Sequence, residues 1–447
     1  MAPFDQVRAD AAKAWESALG RIAIEGRSER DFRIFYTALY HALLMPTLAS
    51  DVDGSYLGFD GQPHVAQGRY FTDFSLWDTY RTLHPFLDLV YPDLARDMLS
   101  SLIEMGRAYG VMPRWPIAAG DSGGMVGDSA AVVFADALVK GVQPVDYAAA
   151  YDILKKSATQ DLPQGRGGIK DYMARGYVTM ETGASSAAET LEYASDDYAL
   201  ANMATALGHA DDAAMLSARA KDWKNLWDGT QGFLLGRHAD GSFPPAIPLG
   251  WQDYYAEGDS WQYTFMVPHD PEGLADAMGG RGPMLDKLEQ FFTHSACTPP
   301  TIGLPQPYYW QGNEVDIFSP WIFASMDDTA RTAKYTRWIL ASQYGDGPDG
   351  IPGNDDSGTM SAWYLFASSG LYPLPGSDTY LLGSPIFTKV TMHLTGADLV
   401  ILANDTSPRT RYVNAVTWAG NKLGRPRITH GELTRGGSLA FTLSDTP

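Results

Sequence analysis

The chain has 447 residues, 45% of them hydrophobic and 12% aromatic, which is typical of a globular protein with one large domain and a small one. Its formal net charge of −20 argues against nucleic acid or an anionic membrane as a partner, because both are negatively charged themselves. No apolar run reaches the length of a membrane span, and the first residues lack the features of a signal peptide, so we expect a soluble protein or a piece of one. The single cysteine, Cys297, excludes a framework of disulfide bonds and leaves the compartment open.

Apolar residues recur at helical spacing along most of the chain and predict a mainly α-helical body. The predicted helices cover residues 4–23, 29–45, 92–109, 129–140, 146–157, 187–207, 210–226, 271–293, 326–342 and 361–370. Long connections rich in Gly, Pro, Trp and Tyr lie between them, and connections of that length usually carry function. A ring of paired helices with its chemistry on the loops at one end fits this alternation.

The last part of the chain follows a different pattern. Short alternating runs at residues 390–394, 399–402, 412–418 and 439–443 are separated by turn residues. They predict a small antiparallel β-module, residues 386–447, docked on a helical body of residues 1–385.

The most informative segment, residues 350–363, reads GIPGNDDSGTMSAW and places Asp355 and Asp356 side by side before a helix. Two adjacent carboxylates are hard to explain as core residues, because each charge needs a partner or water. One interpretation is a solvated turn that caps the helix. We favour a carboxylate site, since sugar-binding sites combine carboxylates with aromatic rings such as that of Trp363.

A second acidic segment, residues 254–263, reads YYAEGDSWQY and sets Glu257 among aromatic residues that include Trp261. Poor solvation raises the pKa of such a carboxyl group and suits it to general acid catalysis, with Trp261 as a further contact to the sugar. The alternative is a helix cap at Asp259 with Glu257 in solvent. Together with the Asp355–Asp356 pair, Glu257 can serve glycoside hydrolysis, in which one carboxyl protonates the leaving oxygen and another activates water.

Several motifs in order along the chain resemble glycoside hydrolase family 92, the calcium-dependent exo-acting α-mannosidases. They are FYTALYHALL at 35–44, SDVDGSY at 50–56, YFTDFSLWDTYR at 70–81, MVGDS at 125–129, TLEYASDD at 190–197, the Glu257 segment, GNE at 312–314 and GNDDSGTMSAW at 353–363. The longest two, around 70–81 and 353–363, are the specific ones. The resemblance implies an inverting hydrolase whose catalytic body is an (α/α)6 toroid.

The resemblance also implies roles for individual residues. Glu257 is expected to be the general acid and Asp356 the general base, with Asn354 and Asp355 supporting the base. An inverting pair stands roughly 6.5–9.5 Å apart to admit water. Two loops that face each other across a pocket can provide that gap.

By the same resemblance, Asn313 and Glu314 are expected to bind a calcium ion that holds the 2- and 3-hydroxyls of the terminal mannose. Their oxygen atoms suit calcium. Trp77 and Asp78 are expected at the base of the pocket, in contact with that sugar. The competing interpretations are an Asx-turn with a solvated acid for the first pair, and a core aromatic residue beside a helix cap for the second.

Two features depart from the family pattern. Family members usually carry a β-sandwich domain before the helical body, so a separate domain or subunit is a predicted partner. Where those that cleave α-1,2 links tend to have a His-Glu pair, this chain has Trp310 and Gln311. Exchanging a carboxylate for an amide removes repulsion toward an anionic leaving group. We therefore hypothesise that Trp310 and Gln311 bind a mannose-1-phospho-6-mannose phosphodiester; the alternative substrate is an ordinary, for example α-1,2-linked, mannoside.

Two other classes of function stay open at this point. One is a non-catalytic carbohydrate-binding protein, and the other is an (α/α)6 hydrolase that acts on α-glucosides without a metal. The resemblance suggests a secreted or periplasmic location, although residues 1–30 do not read as a signal peptide.

Overall fold

The computed structural model describes residues 3–295 and 306–447, so that Cys297 lies outside the described residues. The α-helices are α1 (Phe4–Leu19), α2 (Glu29–His41), α3 (Leu76–Thr79), α4 (Leu83–Val90), α5 (Pro92–Tyr109), α6 (Ala130–Val139), α7 (Tyr147–Thr159), α8 (Ile169–Arg175), α9 (Ser186–Leu207), α10 (Ala210–Arg219), α11 (Ser260–Thr264), α12 (Pro271–Ala277), α13 (Arg281–Ser295), α14 (Ser319–Ser325), α15 (Thr329–Ser342), α16 (Thr359–Ser368) and α17 (His430–Leu433). A 3-10 helix, Asp222–Leu226, follows α10.

The strands are short in the first part of the chain and longer near its end. They are β1 (Ile22–Glu25), β2 (Thr47–Leu48), β3 (Ser55–Leu57), β4 (Pro63–Val65), β5 (Phe71–Thr72), β6 (Pro116–Ile117), β7 (Gly120–Asp121), β8 (Trp227–Asp228), β9 (Phe233–Leu234), β10 (Leu371–Pro373), β11 (Thr379–Leu382), β12 (Lys389–His393), β13 (Asp398–Ala403), β14 (Tyr412–Trp418), β15 (Asn421–Lys422), β16 (Arg427–Thr429) and β17 (Gly437–Ser444). Across the described residues, no helix has both the length and the apolar character needed to cross a membrane.

Six helices are buried over most of their length and form an inner ring: α4, α6, α9, α11, α14 and α16. A second helix packs on the outside of each one and keeps an exposed face. In the same order, these outer partners are α5, α7, α10, α13, α15 and α2. A helix that is apolar all round belongs in an interior, whereas one with a single apolar stripe belongs at a surface. The mainly α-helical (α/α)6 toroid expected from the sequence is therefore confirmed.

Several helix ends follow the signals in the sequence. The side chain of Ser28 accepts a hydrogen bond from the Asp31 N–H and caps α2. Pro92 opens α5, where its missing N–H costs nothing, and Gly110 closes that helix with a φ of 91°. Local capping chemistry therefore accounts for the boundaries of these two outer helices.

Other predicted helices differ from the structure. The first one ends early, because Ile22–Glu25 forms a strand that pairs with β12. The predicted helix 271–293 is two helices, α12 and α13, since Gly279 and Gly280 adopt φ values of 87° and 120° that interrupt a helix. Asp328 caps α15, so this helix begins later than predicted, and α14 precedes it as a separate element.

The end of the chain forms a six-stranded sheet in the order β1-β12-β13-β17-β14-β15. Neighbouring strands run antiparallel, as predicted, except β13 and β17, which are parallel. Strand β1 comes from near the N-terminus and buries Ile22 and Ile24. A second sheet, β10-β11-β16, connects the segment after α16 to the last part of the chain. Residues 386–447 therefore share both sheets with strands from earlier in the sequence.

A buried ionic cluster joins the inner ring to the segment that leads into β11. Lys140 and Asp136 form a fully buried ion pair, and the second oxygen of Asp136 accepts the N–H of Gly376 at 3.0 Å. Asp88 of α4 lies beside the pair, and burial raises the pKa of both the Asp88 and the Asp136 carboxyl groups. The Lys140 ammonium also lies over the ring of Tyr380 on β11. One cation therefore neutralises the negative charge of this junction.

We expect Lys140→Met to lower the free energy of unfolding by about 3–5 kcal/mol, because it leaves buried carboxyl groups without their cation. The measurement is denaturant unfolding at neutral pH. Lys389→Met is the matched control: its partner is Glu25 at 2.8 Å, both side chains are largely exposed, and the expected change is within about 1 kcal/mol. Equal losses in the two variants would contradict the role of Lys140.

Candidate active site

A cavity of about 570 Å³ is lined by connections that lead into the inner helices α4, α6, α11, α14 and α16. The lining residues are Trp77, Asp78, Trp115, Met125, Trp251, Glu257, Trp310, Gly312, Asn313, Glu314, Gly353, Asn354 and Asp356. Most of the residues singled out from the sequence meet here, although hundreds of residues separate some of them in the chain. The cavity is within the size range of small-molecule sites, about 300–1,000 Å³.

The turn before α16 places its two aspartate side chains in two different cavities. Asp356 adopts a φ of 44°, which is uncommon for a residue with a side chain, and it faces the cavity. Asp355 instead accepts the N–H of Ser361 at 2.8 Å and lines a neighbouring cavity of about 310 Å³. There its second oxygen lies 4.0 Å from Nδ1 of His41. Asp355 therefore anchors the turn on α16, and Asp356 is free to act in the cavity.

The turn that carries Asp356 touches the turn that carries Glu314, backbone to backbone. A Cβ atom on Gly353, whose φ is 68°, would lie 2.9 Å from the carbonyl oxygen of Gly312. A Cβ atom on Gly312 would lie 2.6 Å from the indole ring of Trp310. Only glycine fits at either position, so close packing fixes the two acidic turns relative to each other.

Glu257 is exposed to the cavity, and it too has a left-handed backbone, with a φ of 57°. The side-chain amide of Asn313 donates to the Glu257 carbonyl oxygen at 2.8 Å and holds this residue in place. Desolvation by the surrounding atoms raises the pKa of the Glu257 carboxyl, and the charge of Asp356 raises it further. Asp259 caps α11, as the alternative interpretation proposed, but Glu257 does not lie in open solvent.

Three carboxylates on the floor of the cavity lie close together. Oxygen atoms of Asp78, Glu314 and Asp356 are all within 4.8 Å of one another. Burial, followed by repulsion between these groups, raises the pKa of the Asp78 and Glu314 carboxyls well above their usual range. In addition, Oε1 of Glu314 and Oδ1 of Asn313 are buried without a hydrogen-bond partner. Unpaired oxygen acceptors around like charges form a donor set that fits a hard divalent cation.

Two of the residues predicted to contact the sugar, Gln311 and Trp261, are not part of the cavity lining. The side chain of Gln311 is buried, accepts from the hydroxyl of Tyr309 and donates to that of Tyr344. Trp261 belongs to the buried helix α11 and packs against Phe291. Both side chains are thus buried among aromatic neighbours and do not line the cavity, so the structure does not support these two assignments.

Three lining residues were not singled out from the sequence: Trp115, Met125 and Trp251. None of them carries a titratable group, so a search for acids, bases and metal ligands passes over them. Their signals were weaker ones, namely large apolar side chains within long Gly- and Pro-rich connections. Met125 has a φ of 58°, which only the structure reveals.

Buried acids behind the cavity orient its floor. Glu192 of α9 accepts hydrogen bonds from Nε1 of Trp77 at 2.8 Å and from Arg81 at 2.9 Å. Asp196, one turn later, accepts the N–H of Asp128 at 2.8 Å in the loop that follows Met125. These carboxylates support the lining residues from behind and do not line the cavity themselves.

The fold and this acidic cavity together are those of a glycoside hydrolase catalytic domain. The chain matches the glycosyl hydrolase family 92 catalytic domain over residues 1–445, and it belongs to that family.

Solved and curated proteins agree with this assignment. A family GH92 α-mannosidase from Bacteroides thetaiotaomicron is 32% identical, with a TM-score of 0.93, over 100% of this chain and 59% of its own. A GH92 inverting mannosidase from the same organism is 30% identical, with a TM-score of 0.91, over 100% of this chain and 63% of its own. A protein from Arthroderma benhamiae named as an uncharacterized secreted glycosidase is 26% identical over 98% of this chain and 57% of its own length. The chain thus spans about three fifths of these relatives.

We expect Gly353→Ala to destabilise the protein by at least about 1–2 kcal/mol, because a left-handed backbone disfavours a side chain and the added atom meets Gly312. Gly347→Ala, in the same connection, is the control, since a Cβ atom there would meet nothing within 4 Å. Denaturant unfolding of both variants is the measurement. A neutral Gly353→Ala would show that the two turns are not held by this contact.

Proposed function

We propose that this chain is the catalytic part of an inverting exo-α-mannosidase that releases terminal mannose from glycans. The observation that carries the proposal is the pairing of Glu257, whose raised pKa favours the protonated form, with Asp356 in one cavity. The two B. thetaiotaomicron structures, described as an α-mannosidase and an inverting mannosidase, support the choice of sugar and of stereochemistry.

In the proposed reaction, the Glu257 carboxyl donates its proton to the glycosidic oxygen as the bond from C1 to that oxygen breaks. Asp356 removes a proton from the water that attacks C1 on the opposite face, which inverts the configuration. The negative charge of Asp356 helps Glu257 to keep its proton before the reaction. The surroundings of Glu257 therefore favour the protonated form that a general acid requires.

The shape of the cavity supports exo action. Its floor residues Trp77, Asp78, Asn313 and Glu314 are 1–3% exposed, whereas Trp251 at its rim is 44% exposed. A cavity that is closed at one end accepts a chain end and not the middle of a chain. The terminal sugar is thus proposed to lie on the floor, with the rest of the glycan leaving through the rim.

The floor carboxylates fit a bound calcium ion. Asp78, Glu314 and the amide oxygen of Asn313 would hold it, which leaves Asp356 available as the base. When bound, calcium would supply a positive charge that binds vicinal hydroxyls of the terminal sugar. In the absence of such a charge, Asp78 and Glu314 repel each other and Asp356.

An ordinary α-mannoside is now the proposed substrate, in preference to the phosphodiester. That hypothesis depended on Gln311, whose amide is occupied by Tyr309 and Tyr344. Moreover, among the described residues the cavity lining includes the carboxyl groups of Asp78, Glu257, Glu314 and Asp356 but no Lys, Arg or His. A phosphate group would meet negative potential there with no cationic side chain to bind it.

The relatives extend beyond the region matched here, and a further domain or subunit that completes the pocket of the whole protein remains part of the proposal. We also propose action outside the cell, since the Arthroderma benhamiae relative is named as secreted.

Glu257→Gln should lower kcat/KM on an α-linked mannobiose by about 100- to 10,000-fold, while α-mannosyl fluoride, whose leaving group needs no proton, should lose far less. Asp356→Asn should lower both. Because the pKa of Glu257 is raised, activity on the disaccharide should persist above the usual glutamate range of about 4.3 and fall as pH rises through the Glu257 pKa. The fluoride reaction of Glu257→Gln should lack that fall.

The control for these variants is Glu272→Gln, an exposed residue paired with Arg281. Binding of mannobiose without hydrolysis by the unmodified chain would favour a carbohydrate-binding protein instead. Hydrolysis of α-glucosides in preference to α-mannosides would favour the second alternative.

Calcium should bind to the unmodified protein, and Asp78→Asn and Glu314→Gln should each weaken binding at least about tenfold. Titration calorimetry with calcium chloride measures this without any sugar present. Glu181→Gln serves as the control, because its exposed carboxylate bonds His238 outside the cavity. Full activity after EDTA treatment, together with no calcium heat, would contradict the proposed cation site.

A further inference from the structure

The cavity changes character between its floor and its rim. The floor is polar and buried, with Asp78 and Glu314 at 2% and 3% exposure. Toward the rim, the lining includes the partly or largely exposed indoles of Trp115, Trp251 and Trp310, together with the exposed side chains of Glu257 and Asn354. In a site that acts on a terminal sugar, the group beyond the scissile bond lies at the rim. The residues at the rim therefore indicate the chemical class of the leaving group.

Two rim indoles are held firmly by their surroundings. The ring of Trp310 packs on Gly312 and Gly353, and the backbone N–H of Trp310 donates to the carboxylate of Asp316 at 2.9 Å. The backbone of Trp115 is tied to the carboxylate of Asp121 by an N–H···O bond of 2.8 Å. Residues whose backbone is fixed in this way lose less conformational entropy when a ligand binds.

Trp251 continues into an exposed apolar strip. Ile247, Leu249 and Trp251 are 54%, 38% and 44% exposed, and they alternate along one segment that also contains three prolines. The segment is anchored at Gly250, whose N–H donates to the Asp259 carboxylate at 3.2 Å. Exposed apolar surface beside a cavity is typical of a ligand contact. The strip lies on the same connection as Glu257, directly before the catalytic acid.

We propose that Trp115, Trp251 and Trp310 form the binding site for the leaving-group sugar, and that this sugar is an uncharged pyranose stacked on an indole. The inference rests on the proposed function and adds the chemical class of the leaving group. Flat, apolar indole faces match the C–H face of a pyranose ring. In the part of the chain that the structure describes, no cationic side chain lines the cavity to receive an anionic leaving group.

This arrangement also predicts how the site discriminates between substrates. Stacking reads the face of a ring, whereas individual hydroxyl groups are read by hydrogen bonds from charged or amide side chains. The rim indoles offer stacking faces, while the exposed amide of Asn354 and the carboxyl of Glu257 lie in the same cavity lining. We therefore expect the three tryptophans to recognise the leaving sugar through the face of its ring.

The test compares two donors that share the terminal mannose. We expect Trp251→Ala to lower kcat/KM on α-linked mannobiose by about tenfold, chiefly through KM. The loss on α-mannosyl fluoride, which has no leaving sugar, should be several-fold smaller. Trp251→Phe should restore most of the mannobiose activity. Trp15→Ala, on α1 and packed at a tilt against Tyr40, is the control that should leave both rates unchanged.

Each other outcome has a definite meaning. An equal loss on both donors would overturn the proposal, because Trp251 would then be shaping the Glu257 connection. No loss on either donor would overturn it too, and so would a preference for a mannosyl phosphodiester over mannobiose. If the unmodified chain hydrolyses neither donor, the proposed function fails by itself. Calorimetry in the Glu257→Gln background then tests the rim: Trp251→Ala must weaken mannobiose binding but not mannose binding.

Discussion

Crowding of negative charge in one cavity is the constraint on which the rest of this structure depends. Asp78, Glu314 and Asp356 approach within 4.8 Å, with Glu257 in the same cavity. Buried like charges repel and are costly unless protons or a cation neutralise them. The scaffold holds them there by rigid means, through the contact of Gly312 with Gly353 and through buried acids behind the floor. The clustered charges that the proposed reaction uses therefore lower the stability of this region, and the packing of the inner helices offsets that loss.

The inner helices form the scaffold, and the loops that precede them carry the residues of the cavity. The buried helices carry almost no chemistry themselves, but their N-terminal ends converge on the cavity and place each acidic turn. The left-handed backbones of Glu257 and Asp356 are strained conformations at the two residues proposed to exchange protons with substrate and water. Strain at these positions is tolerated because capping and packing fix the residues on either side, as Asp355 does through Ser361.

The sequence was sufficient where the information is local. Apolar spacing predicted α2 and α5, and the motifs of the family resemblance selected Glu257, Glu314 and Asp356, which the structure brings into one cavity. The sequence did not predict which way side chains point. Gln311 lies next to Trp310 in the chain, but its side chain bonds to Tyr309 and Tyr344. The sequence also failed where distant segments pair: no local pattern indicates that residues near position 22 complete a sheet formed near the end of the chain.

That sheet has a consequence for biosynthesis. Strand β17 lies in its middle, between β13 and β14, yet it follows the other five strands in the sequence. On the ribosome, β1, β12, β13 and β14 emerge before the strand that links them, so apolar strand edges stay unpaired until Gly437–Ser444 has left the exit tunnel. Most contacts in the helical ring join helices that are close in sequence, although α2 and α4 can contact α16 only once that helix has formed. Until that strand is available the protein needs protection from aggregation, and a chain that stops before Gly437 lacks the centre of its sheet.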